Sequence, residues 1–544
     1  MFDARFYMVE ALRAVDPGRF ADDLYFKFGS QGNFSLFTKL YLPLLRLFGV
    51  GATALILTIA GQLLWLFGVF RLARTLVGGQ SMWLSVAMVV GMLNVYPGGF
   101  GYGESFLTAR LFAEAMAMLG LSWLPSRPFW AIALLGLSAA FHPLMALPAM
   151  ALAFVYLALG RPLWWAVIGA GAGLFAVLGL AGVAPFFNLF RTIDPQWFAI
   201  IKVRCPQCLL SEWPADGIQQ ALVLAAWTGV ALVMVGPAHR RFLIATLLVG
   251  VGGLACTFLG GDLAHNVLVV QIQSWRSMWL LQLVSRIYTP LIFIAVIART
   301  SFDSPRVGSM LAMGMVLVSS ATRLARYPNS ADFTFVSVAI MAAALAVMAI
   351  HLLMGPQHRR IALLSALAGL ALIPLTLSHW DRRSPWIRYV ESPDPPPKEL
   401  TTLLPEGKSV YWESGLEMLW LRMRHASYFS CDQGTGVMFY RKTAMAYKSR
   451  SESFWPLRTG DFTQLDTCAS LDPSPRPERN RTGLQRLCIR EPGLDYVVLT
   501  APLDGATPKI WNAPVHFQDV QSSTGNYFAR MADRFYIYTC ADLR

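Results

Sequence analysis

An alternation of apolar runs and arginine-bearing breaks constrains this chain more than any other feature. From about Phe34 to Ser378, long apolar runs alternate with short polar breaks. Every second break carries arginine without acid, or arginine in excess: Arg71, Arg74, Arg127, Arg161, Arg240, Arg241, Arg299, Arg306, Arg359 and Arg360. Apolar runs of about 20 residues cross a bilayer as helices, and arginine-rich connections stay on the cytoplasmic side. The pattern predicts a polytopic membrane protein with a readable orientation.

Run length and apolarity predict about twelve membrane-spanning helices. The predicted spans are 51–70, 81–96, 105–124, 129–141, 143–160, 163–184, 219–236, 242–260, 277–298, 307–322, 333–354 and 361–378. The two runs that flank His142-Pro143 are short and also fit one kinked helix. We favour two spans because one would break the charge alternation.

Placing the arginine-bearing breaks in the cytoplasm puts the other connections and both ends of the chain outside. These outer segments are 1–33, 97–104, 185–219, 260–276, 323–332 and the tail after Ser378. Residues 35–48 mix apolar side chains with Lys39 and Arg46, a composition typical of an interfacial helix.

Composition supports the membrane assignment and excludes one class of partner. Hydrophobic residues make up 55% of the chain, charged residues 14%, and the mean hydropathy is +0.47. The net charge of +13 combines the arginine-bearing breaks with a basic C-terminal region. No basic helix or recognition motif points to nucleic acid. Anionic lipid headgroups or a lipid-linked phosphate are the expected partners.

Three regions are predicted: an external acidic loop and helix over 1–34, a helical bundle with amphipathic external loops over 35–378, and a soluble external α/β domain over 379–544. The last begins with the Pro-rich linker SPDPPPKEL and continues with β-like runs such as DYVVLT and RFYIYTC.

Cysteine usage points to an oxidising compartment. Four cysteines of the C-terminal region allow three disulfide pairings: Cys431, Cys468, Cys488 and Cys540. Cys205 and Cys208 form a CPQC motif, for which a local disulfide is a better interpretation than zinc or redox chemistry.

Charged residues inside the apolar runs are candidates for function, because charge is costly in a membrane. Arg110 and Glu114 are four residues apart and can pair on one helix face, with Glu104 at the outer mouth. A structural ion pair explains them equally well. His142 is more often a hydrogen-bonded core residue than a ligand.

The N-terminal acids Asp3, Glu10, Asp16, Asp22 and Asp23 form either a solvated loop or a source of a general base. Asp22-Asp23 is the most attractive pair, because Leu24-Tyr25-Phe26 follows and its aromatic side chains can seat the carboxylates.

Basic residues in the outer segments suit a phosphate. Arg276 lies in QIQSWRSMW, where an ordinary Trp/Arg interfacial anchor explains it equally well. Arg286 lies deeper, where an anchor does not explain it. Lys202 and Arg204 follow the apolar patch WFAII in the long outer loop, which can lie on the membrane.

The layout resembles the GT-C class of integral membrane glycosyltransferases. It comprises the acidic first loop FDARFYMVEALRAVDPGRFADDLYF, the helix SLFTKLYLPLLRLFG, the acid-bearing loop GFGYGESFLTAR, the His-Pro of AFHPLMAL and a C-terminal external domain. The run DPGRFADDLYF is also similar to a "DP-x-x-F-x-x-D" stretch of uncharacterised bacterial GT-C-like proteins. The resemblance implies a bacterial inner-membrane enzyme that uses polyprenyl-phosphate-linked sugars.

Carried over by position, the resemblance implies a catalytic base at Asp23, Asp22 or Asp3. It implies a substrate- or metal-orienting role for Glu104, and phosphate binding by basic residues of the later outer segments, for which Arg276, Arg286, Lys202 and Arg204 are the candidates. Arg110, Glu114 and His142 are further candidates for the orienting role, because they are polar residues within apolar runs. A divalent cation, Mg²⁺ or Mn²⁺, is the one cofactor that the resemblance allows. GT-C proteins begin with a span before the acidic loop. This sequence starts without one, so either translation begins upstream or the span has been lost. We therefore rank Asp22 and Asp23 above Asp3.

Three functions are compatible with the sequence. The first is transfer of a sugar from a polyprenyl-phosphate donor to a glycan, lipid or protein acceptor. The second is transport of a lipid-linked glycan along a polar path through the bundle. The third is a non-catalytic role in envelope-polysaccharide assembly.

Overall fold

The computed structural model describes residues 3–78, 81–91, 95–96, 100–104, 106–297, 384–457, 479–523 and 526–544. Numbered along the chain, the α-helices are α1 Ala4–Val15, α2 Leu24–Lys27, α3 Phe37–Leu76, α4 Ser81–Gly91, α5 Ala109–Trp123, α6 Pro128–Phe141, α7 Pro143–Ala158, α8 Leu163–Leu180, α9 Pro195–Arg204, α10 Ala215–Met234, α11 Pro237–Cys256, α12 Val267–Ile272, α13 Ser277–Ile297, α14 Pro385–Glu391, α15 Lys398–Leu403, α16 Arg441–Phe454 and α17 Arg481–Arg490. The strands are β1 Val95–Tyr96, β2 Phe100–Gly101, β3 Val410–Trp412, β4 Tyr496–Leu499, β5 Lys509–Ser523 and β6 Asn526–Thr539.

The chain divides into two compact units, which we describe separately. The sheet unit comprises Met1–Leu57, Ile193–Cys208 and Arg383–Arg544, and the membrane unit comprises Thr58–Thr192 and Leu209–Arg382. The units thus combine segments that are distant in sequence. The three-region division at residues 34 and 378 stays a prediction.

Within the described residues, five helical stretches are long and apolar enough to cross a bilayer: Phe37–Leu76, Leu163–Leu180, Ala215–Met234, Pro237–Leu263 and Val267–Val296. The fourth is α11 extended by the π-helical turn Thr257–Leu263, and the fifth combines α12 with α13. The prediction of about twelve spans is wrong at this level. Several predicted runs form helices shorter than the roughly 20 residues that cross a hydrocarbon core, namely α4, α5, α6 and α7. The predicted spans 307–322, 333–354 and 361–378 lie outside the described residues.

Helix α3 contains a break at the position where the sequence predicts an interfacial helix to end. Gly49 has a φ of 75° and a ψ of 179°, which divides the 40-residue helix in two. An L-residue with a side chain rarely adopts such a conformation, so glycine suits this position. The segment before Gly49 exposes Leu40, Leu47 and Phe48. The break supports a separate helix over 37–48, and its location on a membrane surface stays a prediction.

The chain also breaks at His142, so two helices lie there as predicted, but neither is long enough to be a candidate span. His142 has an extended backbone and follows α6 directly. Its Nδ1 accepts a hydrogen bond from the Met145 backbone amide at 3.3 Å, so its side chain caps α7. Pro143 occupies the first helical position, where its missing N–H costs nothing.

The sheet unit contains a four-stranded sheet in the order β3-β4-β6-β5. β3 and β4 are parallel, β4 and β6 antiparallel, and β5 and β6 form a long antiparallel hairpin. Three of its aromatic side chains pack together, with ring centroids 5.2–5.9 Å apart: Trp412 of β3, Trp511 of β5 and Phe535 of β6. A small sheet in the C-terminal region is therefore present, and a separate C-terminal α/β domain stays a prediction.

The N-terminal segment packs within the sheet unit. The rings of Phe6 and Tyr25 lie 5.8 and 5.6 Å from the Trp420 ring. Arg5 forms ion pairs with Glu417 and Asp432. These contacts make the acidic N-terminal segment part of a folded unit with the C-terminal region.

Candidate functional site

The acid Glu104 is fixed at the start of α5 by a buried arginine. Arg110 donates from Nε to Glu104 Oε2 at 2.8 Å and from Nη2 to Oε1 at 2.6 Å, a bidentate pair. The Thr108 hydroxyl donates to Glu104 Oε2 at 2.9 Å. The two charged side chains are only 6% and 8% exposed. Bidentate pairing of this kind sets both the position and the orientation of a carboxylate.

Sequence reasoning paired Arg110 with Glu114, but the hydrogen bonds place Arg110 on Glu104. Glu114 is fully buried, and its Oε2 accepts hydrogen bonds from Trp65 Nε1 at 2.9 Å and from the Gly103 amide at 2.8 Å. The acid thereby joins the Gly103 backbone to α3.

Gly103 packs closely against the indole of Trp65. Its φ is +64°, and a Cβ at this position would lie 2.6 Å from a carbon of the Trp65 ring. Both the backbone conformation and the space require glycine. On the next residue, the Glu104 carbonyl accepts a hydrogen bond from Gln62 Nε2. Gln62 and Trp65 lie about one turn apart on α3 and therefore share one helix face. This face contacts two successive residues, Gly103 through Trp65 and Glu104 through Gln62.

The preceding residue, Tyr102, is held from α13. Arg286 Nη1 donates to the Tyr102 hydroxyl at 2.9 Å, and both side chains are buried. The Tyr102 ring also lies 6.3 Å from the rings of both Trp65 and Trp279. We call the segment Tyr102-Gly103-Glu104 the acid loop. Each of its three residues is bonded to a buried side chain of the membrane unit.

Arg276 and His142 both contact Met145. Arg276 Nη1 lies 3.5 Å from Met145 Sδ, and its Nε donates to Gln273 Oε1 at 2.7 Å. Its guanidinium also lies 5.1 Å from the Trp275 ring centre. The sequence favoured a hydrogen-bonded core residue at His142. The structure shows a hydrogen-bonded but half-buried side chain that caps α7.

The residues present do not fit a metal site. Within the part of the chain that the structure describes, no group of three or more His, Cys, Asp or Glu side chains could hold a metal ion. Glu104 is bonded to a guanidinium instead.

The three N-terminal acids lie in the sheet unit, in different surroundings. Asp3 precedes α1. The Asp22 side chain is 93% exposed and lies 3.8 Å from Lys27 Nζ. Asp23 is fully buried, and burial raises the pKa of its carboxyl while its hydrogen-bond donors act to lower it.

Four donors surround the Asp23 carboxylate. Oδ1 accepts from the Tyr25 amide at 2.9 Å and from Gln433 Nε2 at 2.7 Å. Oδ2 accepts from Trp420 Nε1 at 2.7 Å and from the Ser427 amide at 2.8 Å. A carboxylate offers about four acceptor positions. This arrangement favours a structural role for Asp23, and its role as a base stays a prediction.

Lys202 and Arg204 belong to the sheet unit. Both lie in the last turn of α9, where Lys202 is exposed. A Cβ on Gly434 would collide with the Arg204 guanidinium and the Tyr447 ring. Arg204 is thus packed within this unit, and phosphate binding by either residue stays a prediction.

The cysteines divide into bonded and thiol forms. Cys488 and Cys540 form a disulfide, and Cys431 is also disulfide-bonded. Cys468 lies outside the described residues. The predicted Cys205–Cys208 disulfide is wrong. Both thiols are buried, Cys208 Sγ lies 3.8 Å from Met438 Sδ, and burial raises the pKa of Cys205 to about 11.

Sequence reasoning missed the residues that build the acid loop: Gln62, Trp65, Tyr102, Gly103 and Thr108. A polar Gln62 within an apolar run was a usable signal, since such residues are uncommon in spans. The contact between Gly103 and Trp65 depends on packing of distant segments and leaves no local signal.

No protein-family model, no curated protein and no solved structure matches this chain.

Proposed function

We propose that this protein is a membrane glycosyltransferase that moves a sugar from a polyprenyl-phosphate donor to an acceptor of the cell envelope. The acid loop carries this proposal. Its three residues are held by Arg286, Glu114 and Gln62, and its acid is held by Arg110. Buried ionisable groups are rare in membrane proteins and usually mark functional sites.

The acid loop suits a reaction in which a carboxylate must be held in place. In the proposed step, an acceptor hydroxyl forms a bond to the anomeric carbon of the sugar. The bond between that carbon and the phosphate oxygen breaks, and the polyprenyl phosphate leaves with the electron pair. The hydroxyl proton passes to the Glu104 carboxylate. Arg110 fixes the carboxylate beforehand, which avoids a reorganisation cost during the reaction.

Arginine supports recognition of the lipid phosphate. Arg276 and Arg286 are buried in the membrane unit. A guanidinium group is planar and matches phosphate oxygens in a fixed geometry, so these two arginines are the candidates for binding the lipid phosphate. The Cys488–Cys540 disulfide supports an oxidising, extracytoplasmic compartment for the sheet unit. A bacterial inner-membrane location with external chemistry fits these features.

A direct test uses the full chain reconstituted in liposomes. The donors are radiolabelled decaprenyl-phosphate mannose, glucose, galactosamine and arabinose, and the acceptors are a lipid extract and purified envelope glycan. We expect one donor to lose its sugar to an acceptor. Glu104→Gln should lower this rate about 100-fold, the usual loss of a proton-accepting group. Asp216→Asn is the matched control, because Asp216 lies in the first turn of α10.

The same experiment separates the transferase from a transporter. The observation that favours transport is the set of buried ionisable side chains Arg110, Glu114 and Arg286. A transporter would move labelled donor between leaflets without releasing decaprenyl phosphate. That outcome, or retention of every donor intact, would contradict the transferase proposal.

A further inference from the structure

The two carboxylate oxygens of Glu114 have unequal surroundings. Oε2 accepts two hydrogen bonds, from Trp65 Nε1 and the Gly103 amide. Oε1 is buried and has no hydrogen-bond partner among the described residues. Gln62 Oε1 is likewise buried and without a partner among them. Among the described residues, two side chains that contact the acid loop therefore each have a buried oxygen atom without a hydrogen-bond donor.

If Glu114 were ionised, its Oε1 would be a buried, negatively charged acceptor without a donor among the described residues. A carboxylate only accepts hydrogen bonds, and so does the side-chain oxygen of glutamine. A buried acceptor without a donor keeps its desolvation cost, and a buried charge usually neutralises instead. A proton on Oε1 removes the charge, so this buried oxygen no longer carries an uncompensated negative charge.

We propose that Glu114 is a proton-binding site, and that its neutral form, protonated on Oε1, holds the acid loop against α3. In this form Oε2 still accepts from Trp65 and Gly103, so both contacts of the loop remain. Loss of the proton would place an uncompensated negative oxygen in the bundle and weaken the packing of the loop. This inference goes beyond the proposed function and holds whether or not the protein transfers a sugar.

The charged groups around Glu114 agree with one bound proton. Glu104 and Arg110 act on it electrostatically, and they form an ion pair with each other. Tyr102 also interacts with Glu114, and Arg286 donates to the Tyr102 hydroxyl. His142 lies within the field of Arg110. The negative charge of Glu104 favours retention of the proton on Glu114, whereas the positive charge of Arg110 opposes it.

Infrared spectroscopy of the reconstituted full chain tests the proton directly. With ¹³C-labelled glutamate, a protonated glutamic acid gives a C=O stretching band distinct from that of aspartic acid. We expect such a band at pH 7 that is lost in Glu114→Gln and kept in Asp216→Asn. If Glu114→Gln removed no glutamic-acid band from the spectrum at pH 7, the proposal would be overturned.

Thermal unfolding provides a second readout that does not depend on activity. Glutamine resembles the protonated acid, since its oxygen can accept from Trp65 and Gly103 and its NH₂ can donate. Glu114→Gln should keep the unfolding temperature within about 2 °C of the parent, whereas Glu114→Leu should lower it by roughly 6 °C or more. Equal losses in the two variants would show that the negative charge is needed and would overturn the proposal.

The pH dependence has a defined sign. If the folded protein binds a proton that the unfolded chain releases, stability falls as the pH rises through the titration of Glu114. We expect this fall in the parent protein to be reduced in Glu114→Gln. An unchanged pH profile in the variant would contradict a proton at this site.

Discussion

Two adjacent aspartates show how strongly a residue's role depends on its surroundings. Asp22 is 93% exposed at its side chain, whereas Asp23 is fully buried and receives four hydrogen bonds. The sequence places both in one acidic loop and cannot separate them. The separation comes from the Trp420–Gln433 region, which lies about 400 residues further along the chain and supplies three of the donors.

Substitution of these aspartates should therefore have unequal effects. Asp23→Asn places an NH₂ group against donors that need an acceptor, so we expect a loss of about 3 kcal/mol in the free energy of unfolding. Asp22→Asn should change it by less than about 0.5 kcal/mol. Thermal or denaturant unfolding of the full chain in detergent measures both. If Asp23→Asn abolished activity at unchanged stability, Asp23 would be a catalytic base after all.

His142 offers a second comparison at the residue scale. Its Nδ1 caps α7 through the Met145 amide. We expect His142→Ala to cost about 1 kcal/mol of stability, while His142→Asn keeps most of it, because asparagine is also a good N-cap. Unfolding temperatures of the two variants provide the test. Equal damage from both substitutions would assign His142 a role other than capping.

At the scale of elements, the breaks in the helices follow local chemistry. Gly49 divides α3 through a positive φ, and His142-Pro143 separates α6 from α7. Both breaks could be predicted, since glycine and proline act on the backbone next to them. The helix lengths were less predictable, because the length of an apolar run does not show where the backbone hydrogen bonds of a helix end.

The Cys488–Cys540 disulfide joins α17 to the residue that follows β6, and the two cysteines are 52 positions apart in the sequence. Closing a loop of this size restricts the unfolded chain, so Cys488→Ser should lower the free energy of unfolding by about 4 kcal/mol in the chain-entropy account. Unfolding under non-reducing conditions measures the loss. Cys256→Ser is the control, because Cys256 is exposed and not disulfide-bonded. Equal stability of the two variants would contradict a stabilising role for the disulfide.

At the scale of the whole molecule, arginine distribution predicts orientation. Reporter fusions test it directly. We expect alkaline phosphatase to be active when fused after Arg544 and inactive when fused after Arg241, because the enzyme folds only in an oxidising compartment. A green fluorescent protein fusion should show the reverse. Fluorescence from the fusion after Arg544 would place the sheet unit in the cytoplasm and remove support for external sugar transfer.

About half of the candidate site could be predicted from the sequence. Glu104, Arg110, Glu114 and Arg286 were visible as charges within or beside apolar runs. Their partners were not visible, because Trp65 and Gln62 approach the acid loop only when α3 packs beside it. The Arg110–Glu114 pair expected from helical spacing is replaced by Arg110–Glu104, since the loop before α5 turns its acid back toward the helix.

The sequence by itself determined the long apolar helices that could cross a membrane, the helix breaks at Gly49 and His142, and a cysteine-bearing C-terminal region with a small sheet. These features depend on hydrophobicity and on backbone chemistry that act over a few residues. Only the tertiary structure decided that Asp23 is buried, that Gly103 must be glycine, and that, among the described residues, one Glu114 oxygen has two donors and the other has none. Such features depend on which distant segments meet, and packing sets those contacts.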